Sequence, residues 1–408
     1  MSRGARSLLV VLLATAFARG AVIIAYTTVW WDTPTLSHLV ADLATWPAFF
    51  LKVRAGLVPY VDFPKEYPVG AALLYWGLAF VVNPLDLREI TWVHGIFMSV
   101  GDILGAAVFY RIVERAAPRW ALFLSLVFVL NLTALLLSPL RFEGWVVLLA
   151  LLGYRFHREG RPLVATFFWS LGCALKWFPA FFIAAQEWKA LAAEGRRTQW
   201  VRSGLVFVGV TAALNLPFAI ADYRAQGNLQ AWLSPYLFHV NRPLYWDTLL
   251  GVGELWLGPL SLERYGSLWT LALVGVALVC APRMSVAAKG TLMLVAALIL
   301  NRVYSAQFHL WFYPFLLLSL VRSPESLDRR LLVLFVTLDA LNVLVYPFSF
   351  VRAYAELGGF APFAAVERGQ LWTTVFSAAI VLRTAALALV AWALLRQGVP
   401  EREVSPPR

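Results

Sequence analysis

An all-α, polytopic transmembrane helical bundle is the fold class the sequence predicts, and three observations predict it. The 408 residues are 61% hydrophobic and only 14% charged, with mean hydropathy +0.71, whereas soluble domains are about half apolar and a quarter charged. Apolar runs recur along the whole chain. The Lys and Arg residues behind the formal net charge of +11 gather in short stretches between those runs, which fits membrane orientation better than nucleic-acid binding.

The first run, 7–28, follows Arg3 and Arg6. Those residues also suit a signal peptide, but Ala18-Arg19-Gly20-Ala21 is a poor cleavage site and nothing soluble follows, so a retained span is expected. The segment 29–67 is then expected to be a long external loop. Within it Leu36, Leu39, Val40, Leu43, Ala44 and Phe50 recur at roughly helical spacing, broken by His38, Asp42, Lys52 and Arg54. This predicts an amphipathic helix lying on the membrane interface. Gly56 is expected to end it, and Pro59-Tyr60-Val61-Asp62 to return the chain toward the next span.

Further apolar runs lie near 69–83, 91–112, 119–137, 144–154, 162–175, 178–188, 203–221, 267–281, 287–300, 308–321, 331–348 and 372–395. About 12–13 membrane segments are therefore expected. Several runs are shorter than the roughly 20 residues that cross a bilayer unaided. Short runs predict broken helices or hairpins held inside a bundle, where freed backbone groups find protein partners or a wet cavity.

Basic stretches at 111–119, 155–161, 189–202, 283–289, 322–330 and from 396 onward are assigned to the cytoplasm. The alternating loops, 138–143, the turn at Lys176, 222–266, 301–308 and 349–371, then face out. Three apolar runs separate the N-terminus from the first basic loop, an odd number. Either one early run does not cross or the N-terminus lies outside. The expected organisation is one integral membrane domain over 1–408, with external loops 29–67 and 222–266 and a cytoplasmic tail 397–408.

Cys173 and Cys280 both fall in apolar runs without partner spacing, so neither a disulfide framework nor a metal knuckle is read. His38, His94, His157, His239 and His309 lack paired-ligand spacing, and no metal or other cofactor is indicated. Arg19, Asp102 and Asp339 lie in apolar runs, where ionisable groups are costly; structural pairing is expected for each.

The face expected to be external collects most of the unusual polar residues. They occur, in chain order, as Gly56-x-Val58-Pro59-Tyr60-x-Asp62-Phe63-x-x-Glu66-Tyr67-Pro68; Ser138-Pro139-x-Arg141-Phe142-Glu143; Lys176-x-Phe178-Pro179; Arg242-Pro243-Leu244-x-x-Asp247-Thr248-Leu249; and Asn301-Arg302-Val303-Tyr304-Ser305-x-Gln307-Phe308-x-x-Trp311. This series resembles the GT-C fold glycosyltransferases of the GT87 type, the polyprenyl-phosphate-mannose-dependent mannosyltransferases. The resemblance rests on the order of short motifs across most of the chain. It departs from the family where Arg-Phe-Asp reads Arg141-Phe142-Glu143, where Val69 replaces the second Pro of Glu-Tyr-Pro-Pro, and where Ser-Pro-Gln reads Ser305-Ala306-Gln307.

The resemblance implies an inverting transfer of a sugar, mannose by the family's habit, from a polyprenyl-phosphate donor to a glycolipid or polysaccharide at the external (periplasmic) face of the cell membrane. Such chemistry needs a carboxylate to take the acceptor hydroxyl's proton. Asp62 is the first candidate, Glu66 the second and Asp32 the third. The plainer reading of Asp62 is a turn residue beside Pro. Developing charge on the leaving phosphate needs cations, for which Lys176, Arg242, Arg302 and Arg141 are candidates. Lys176 could instead snorkel, and the arginines anchor or pair with Asp247 or Glu254. Tyr60, Tyr67, His239, Tyr245, Trp246, Asp247, Gln307 and His309 are the expected substrate contacts, with interfacial anchoring the plainer role of the aromatics and a structural role that of the histidines. A lipid or sugar transporter is the rival function; it should show paired half-chain repeats, and none is seen. A pentose donor and a decayed, non-catalytic site are further alternatives.

Overall fold

In the computed structural model the described residues are 2–32, 43–194, 196–240, 242–258, 263–280, 282, 284–356 and 371–397. Among the described residues 81% are helical. In order the helices are α1 Arg3–Ile24, α2 Trp46–Arg54, α3 Val69–Ala79, α4 Leu87–Ala116, α5 Ala121–Leu130, α6 Leu132–Leu137, α7 Glu143–Arg158, α8 Pro162–Leu175 and α9 Ala180–Glu194. They continue as α10 Arg197–Gln226, α11 Gln230–Val240, α12 Leu249–Leu257, α13 Glu263–Val279, α14 Val286–Ile299, α15 His309–Ser319, α16 Arg329–Val343, α17 Phe350–Glu356 and α18 Leu371–Gln397. One small hairpin, β1 Val321–Ser323 with β2 Ser326–Leu327, joins α15 to α16.

Among the described residues five helices are long and apolar enough to cross a membrane: Arg3–Val29, Leu87–Ala116, Arg197–Gln226, Arg329–Ala353 and Leu371–Gln397. A bent pair, Pro118–Leu130 with Leu132–Leu140, makes a sixth if counted as one span broken by 46°. Shorter apolar helices of 10–17 residues lie at Val69–Ala79, Pro162–Leu175, Gly266–Val279 and Val286–Ile299. These are the helices of a multi-pass membrane protein, and the short ones accord with the expectation of broken segments.

Each break has a chemical cause. At Asn131 the backbone turns extended (ψ 153°), and the N–H groups of Leu132 and Thr133 that open α6 are accepted by the Asp339 carboxylate at 2.7 and 3.1 Å. A cap supplied by another helix thus stabilises a helix only six residues long. Between α16 and α17, Pro347 and a non-helical Tyr346 (φ −137°, ψ 124°) interrupt the ladder.

The contacts gather into two compact units. One comprises Leu12–Val108 and Ser138–Arg242; the other comprises Phe109–Leu137, the described residues after Arg242 and the N-terminal end of α1. In the first, α7 and α8 pack closely because Gly153 admits the Trp169 ring; an added Cβ would lie 2.4 Å from its indole nitrogen. That nitrogen donates to Ala150 O at 3.0 Å. In the second, Val252, Val345, Ala353, Phe376, Ala379 and Ile380 form a buried apolar cluster.

Of the amphipathic pattern expected in the first loop, the described part is α2. Trp46, Phe49, Phe50 and Val53 form the buried face of α2, while Leu51, Lys52 and Arg54 are exposed. Aromatic size decides this, since Trp and Phe bury the most apolar area. Gly56 follows in the left-handed conformation (φ +85°). Leu36, His38, Leu39, Val40 and Asp42 lie outside the described residues.

Candidate functional site

The loop after α2 is a tight knot of hydrogen bonds. Val58 N–H donates to Asp62 Oδ2 at 2.7 Å, and Tyr60 N–H donates to Phe63 O at 2.9 Å. Tyr60 is the one non-glycine among the described residues with positive φ (64°), a conformation costing of order 1 kcal/mol or more that its surroundings must enforce. Its wholly buried ring meets Phe218 edge-on, and its hydroxyl donates to Tyr67 O at 2.5 Å. Burial, and then the nearby Glu66 charge, push the phenol well above the usual tyrosine range. Tyr60 is therefore a permanent donor. Asp62 is held through one carboxylate oxygen and remains solvent-exposed, which suits either a turn residue or an oriented base.

Lys65 is buried among the rings that follow. Its ammonium lies 4.3 Å from the Trp46 centroid and 5.6 Å from that of Tyr67, and pairs with the half-buried Glu66 at 3.1 Å. Lys65 N–H also donates to the Ser234 hydroxyl at 3.0 Å, tying the loop to α11. Trp46 stacks in turn on Tyr67 and Tyr75.

This loop meets the second and third motifs through Tyr67, whose ring sits edge-on to Phe142 at 5.4 Å. Phe142 follows the 3₁₀ turn Ser138–Leu140 and is the N-cap of α7. Lys176 leaves the end of α8 in extended conformation (φ −154°, ψ 143°), places its ammonium 4.5 Å from the Phe142 ring, and forms an ion pair with the fully buried Glu143. The carboxylate's other oxygen, Oε2, is buried with no partner among the described residues. Arg141 is also buried, with Nη1 donating to Leu140 O at 3.2 Å.

The Ser138 end of the same motif is anchored deeper. Arg19 Nε donates to Asp102 Oδ2 at 2.7 Å, and the Ser138 hydroxyl donates to the same oxygen at 2.5 Å. The expected Arg19–Asp102 pairing thus forms, and it fixes the turn carrying Arg141 and Glu143. His94 contributes from α4, its ring within 2.8 Å of the Tyr75 hydroxyl and 3.2 Å of Pro139 O.

Arg242 and His239 complete this unit's candidates. Arg242 is half-buried with its guanidinium 5.4 Å from the Phe238 ring, and His239 is exposed beside the same ring. Asp32, the third candidate base, is exposed at the end of the first span.

The second unit holds the rest. Tyr245 N–H donates to Arg302 O at 2.9 Å, and Trp246 packs on the apolar cluster around Phe376. The Gln307 amide oxygen accepts from the Ser305 hydroxyl. His309 is fully buried between two tyrosines: Nε2 contacts the Tyr304 hydroxyl, and Nδ1 lies 2.8 Å from that of Tyr313.

Sequence reasoning passed over Arg383. It lies midway along α18, only 1% exposed, with its guanidinium 3.6 Å from the Tyr304 ring and Nη2 donating to Asp247 O at 2.5 Å. Nε and Nη1 have no partner among the described residues. A lone arginine inside the run 372–395 was the available signal.

The five motifs are therefore distributed as three in the first unit, brought together around Tyr67 and Phe142, and the remaining two largely in the second, around Tyr245, Arg302 and His309. Among the described residues no three His, Cys, Asp or Glu side chains gather as a metal-binding group. No protein-family model, curated protein or solved structure matches this chain.

Proposed function

We propose that the protein is an inverting membrane glycosyltransferase that moves a sugar, mannose first, from a polyprenyl-phosphate donor to a glycolipid or polysaccharide acceptor at the external membrane face. The supporting observation is the meeting of three separated motifs in one unit: Tyr67 packs on Phe142, and Lys176 pairs with Glu143 beside that ring. A carboxylate-bearing loop and a half-buried cation are thereby joined through an aromatic wall suited to a sugar ring or an isoprenoid.

In this reading the acceptor hydroxyl oxygen attacks the anomeric carbon while the bond from that carbon to the phosphate oxygen breaks. The hydroxyl proton passes to Asp62, whose Val58 hydrogen bond orients it. Glu66 is the second candidate for this role. The bonding electron pair leaves with the phosphate, whose charge Lys176 and Arg141 stabilise, with Arg242 of the same unit as a further cation. One displacement inverts the anomeric centre. The expected 12–13 membrane segments and an interfacial first loop belong to the same proposal.

Donor binding tests it. Lys176→Met alone would strand a buried Glu143 carboxylate, so the paired change Lys176→Met with Glu143→Gln is the informative variant. Purified and folded, it should bind polyprenyl phosphate about tenfold or more weakly than wild type, the scale of one charge-assisted hydrogen bond. Unchanged affinity would remove Lys176 from the phosphate site.

A further inference from the structure

The first turns of α8 and α10, both in the unit that comprises Leu12–Val108 and Ser138–Arg242, enclose a groove of about 300 Å³ lined by Arg161, Pro162, Leu163, Val164, Gln199 and Arg202. Its chemistry is lopsided. Two guanidiniums and one amide face three apolar residues, and no carboxylate is in the lining. The nearest acid in sequence, Glu159, pairs with Arg155 at 3.0 Å. Among the described residues neither Arg161 nor Arg202 forms a salt bridge, and both are exposed. Gly160 (φ +72°) turns the chain out of α7 and sets Arg161 at the start of α8, its guanidinium 4.9 Å from the Phe156 ring. The positive ends of two helix dipoles add to the charge there.

The helix on one side of this groove is unusually bare. Only 6% of the most apolar stretch of Arg197–Gln226 is buried, and Trp200, Val201, Leu205 and Val208 are exposed on it. A long apolar surface thus starts beside a cationic groove. A double-chain lipid with an anionic headgroup has the same two-part chemistry.

We propose that this groove is a binding site for an anionic phospholipid, the phosphodiester between Arg161 and Arg202 and the acyl chains along α10. Arg161 and Arg202 supply the charge attraction, Gln199 a hydrogen-bond donor, and Pro162, Leu163 and Val164 the wall against which the glycerol and upper acyl carbons rest. Both arginines fall in stretches assigned to the cytoplasm, so the lipid belongs to the inner-facing leaflet. The site is independent of the transferase reading, which concerns residues of other loops.

Full-length protein in a neutral detergent, titrated with phosphatidylglycerol or phosphatidylcholine and followed by native mass spectrometry, tests it. Wild type should prefer phosphatidylglycerol by about thirtyfold, on the scale of two near-surface arginines. Arg161→Gln with Arg202→Gln should lose that preference. The control Arg329→Gln with Arg330→Gln, which removes two exposed charges from another basic stretch, should keep it. Equal loss in both double variants would mean diffuse attraction and overturn the site. Absence of a preference in wild type would overturn it without any variant, and displacement of the lipid by an equal concentration of inorganic phosphate would replace it with a small-anion site.

Discussion

Single residues in this chain are expensive where they are charged and buried, and most of them are paired. Arg19 and Asp102 are the clearest case, with side chains 3% and 10% exposed and the Ser138 hydroxyl on the same carboxylate oxygen. Removing one member leaves the other charge uncompensated in an apolar interior. Asp102→Ala should therefore cost about 3–5 kcal/mol, read by unfolding in detergent against wild type. A loss under about 1 kcal/mol would mean that water or lipid replaces the pairing. This partnership was legible in the sequence, because two opposite charges in apolar runs need each other. Arg383 was equally visible and was missed, because its contacts are a ring and a main-chain carbonyl that charge pairing does not anticipate.

At the scale of elements, helix ends carry the specificity. Asp339 on α16 caps α6 by accepting from Leu132, Thr133 N–H and the Thr133 hydroxyl. Asp339→Ala orphans the buried Thr133 N–H, at about 1–3 kcal/mol, and the more exposed Leu132 N–H, whereas Asp339→Asn keeps one acceptor oxygen. The alanine variant should be the less stable of the two in thermal unfolding. Equal stability would show that the cap contributes nothing.

Asp328 is the corresponding cap at the start of α16. It accepts from Arg330 and Leu331 N–H, from Arg322 and from the Gln397 amide. Partial burial alone would raise its carboxyl; the Leu331 N–H and the Arg322 guanidinium outweigh that and hold it below the usual carboxylate range. Its stabilising effect is thus complete above the unfolded-state value and fades as pH falls through the lower folded value. Wild-type stability should drop on that acid limb, and Asp328→Asn should show a smaller drop. Identical acid limbs would contradict the assignment. Helix existence was readable from apolar runs, but these caps were not, since a cap joins residues far apart in sequence: 207 positions in the case of Leu132 and Asp339.

For the whole molecule, composition made the membrane class plain, and the structure supports it with five long apolar helices and several short ones. In the first loop the aromatic face Trp46, Phe49 and Phe50 is buried in α2, whereas the spacing of Leu and Val drew attention to positions that lie outside the described residues. Of the candidate site, the motifs were legible as polar interruptions of an apolar chain. Their grouping was not, since it depends on Tyr67 reaching Phe142 and on Lys176 reaching Glu143. Lys65 stands at an unassigned position of the first motif, yet it sits inside the aromatic cluster at the base of the loop.

The central claim is sugar transfer from a lipid phosphate, and the most direct measurement is release of radiolabelled mannose from polyprenyl-phosphate-mannose into endogenous lipid or polysaccharide. Membranes containing wild-type protein should transfer the label, and those containing equal amounts of folded Asp62→Asn should be slower by about 10²–10⁴-fold, the usual contribution of a general base. Wild-type rates in Asp62→Asn would remove that residue from the chemistry. Transfer by neither protein, with a polyprenyl-phosphate pentose as well as with the mannose donor, would contradict the transferase account itself.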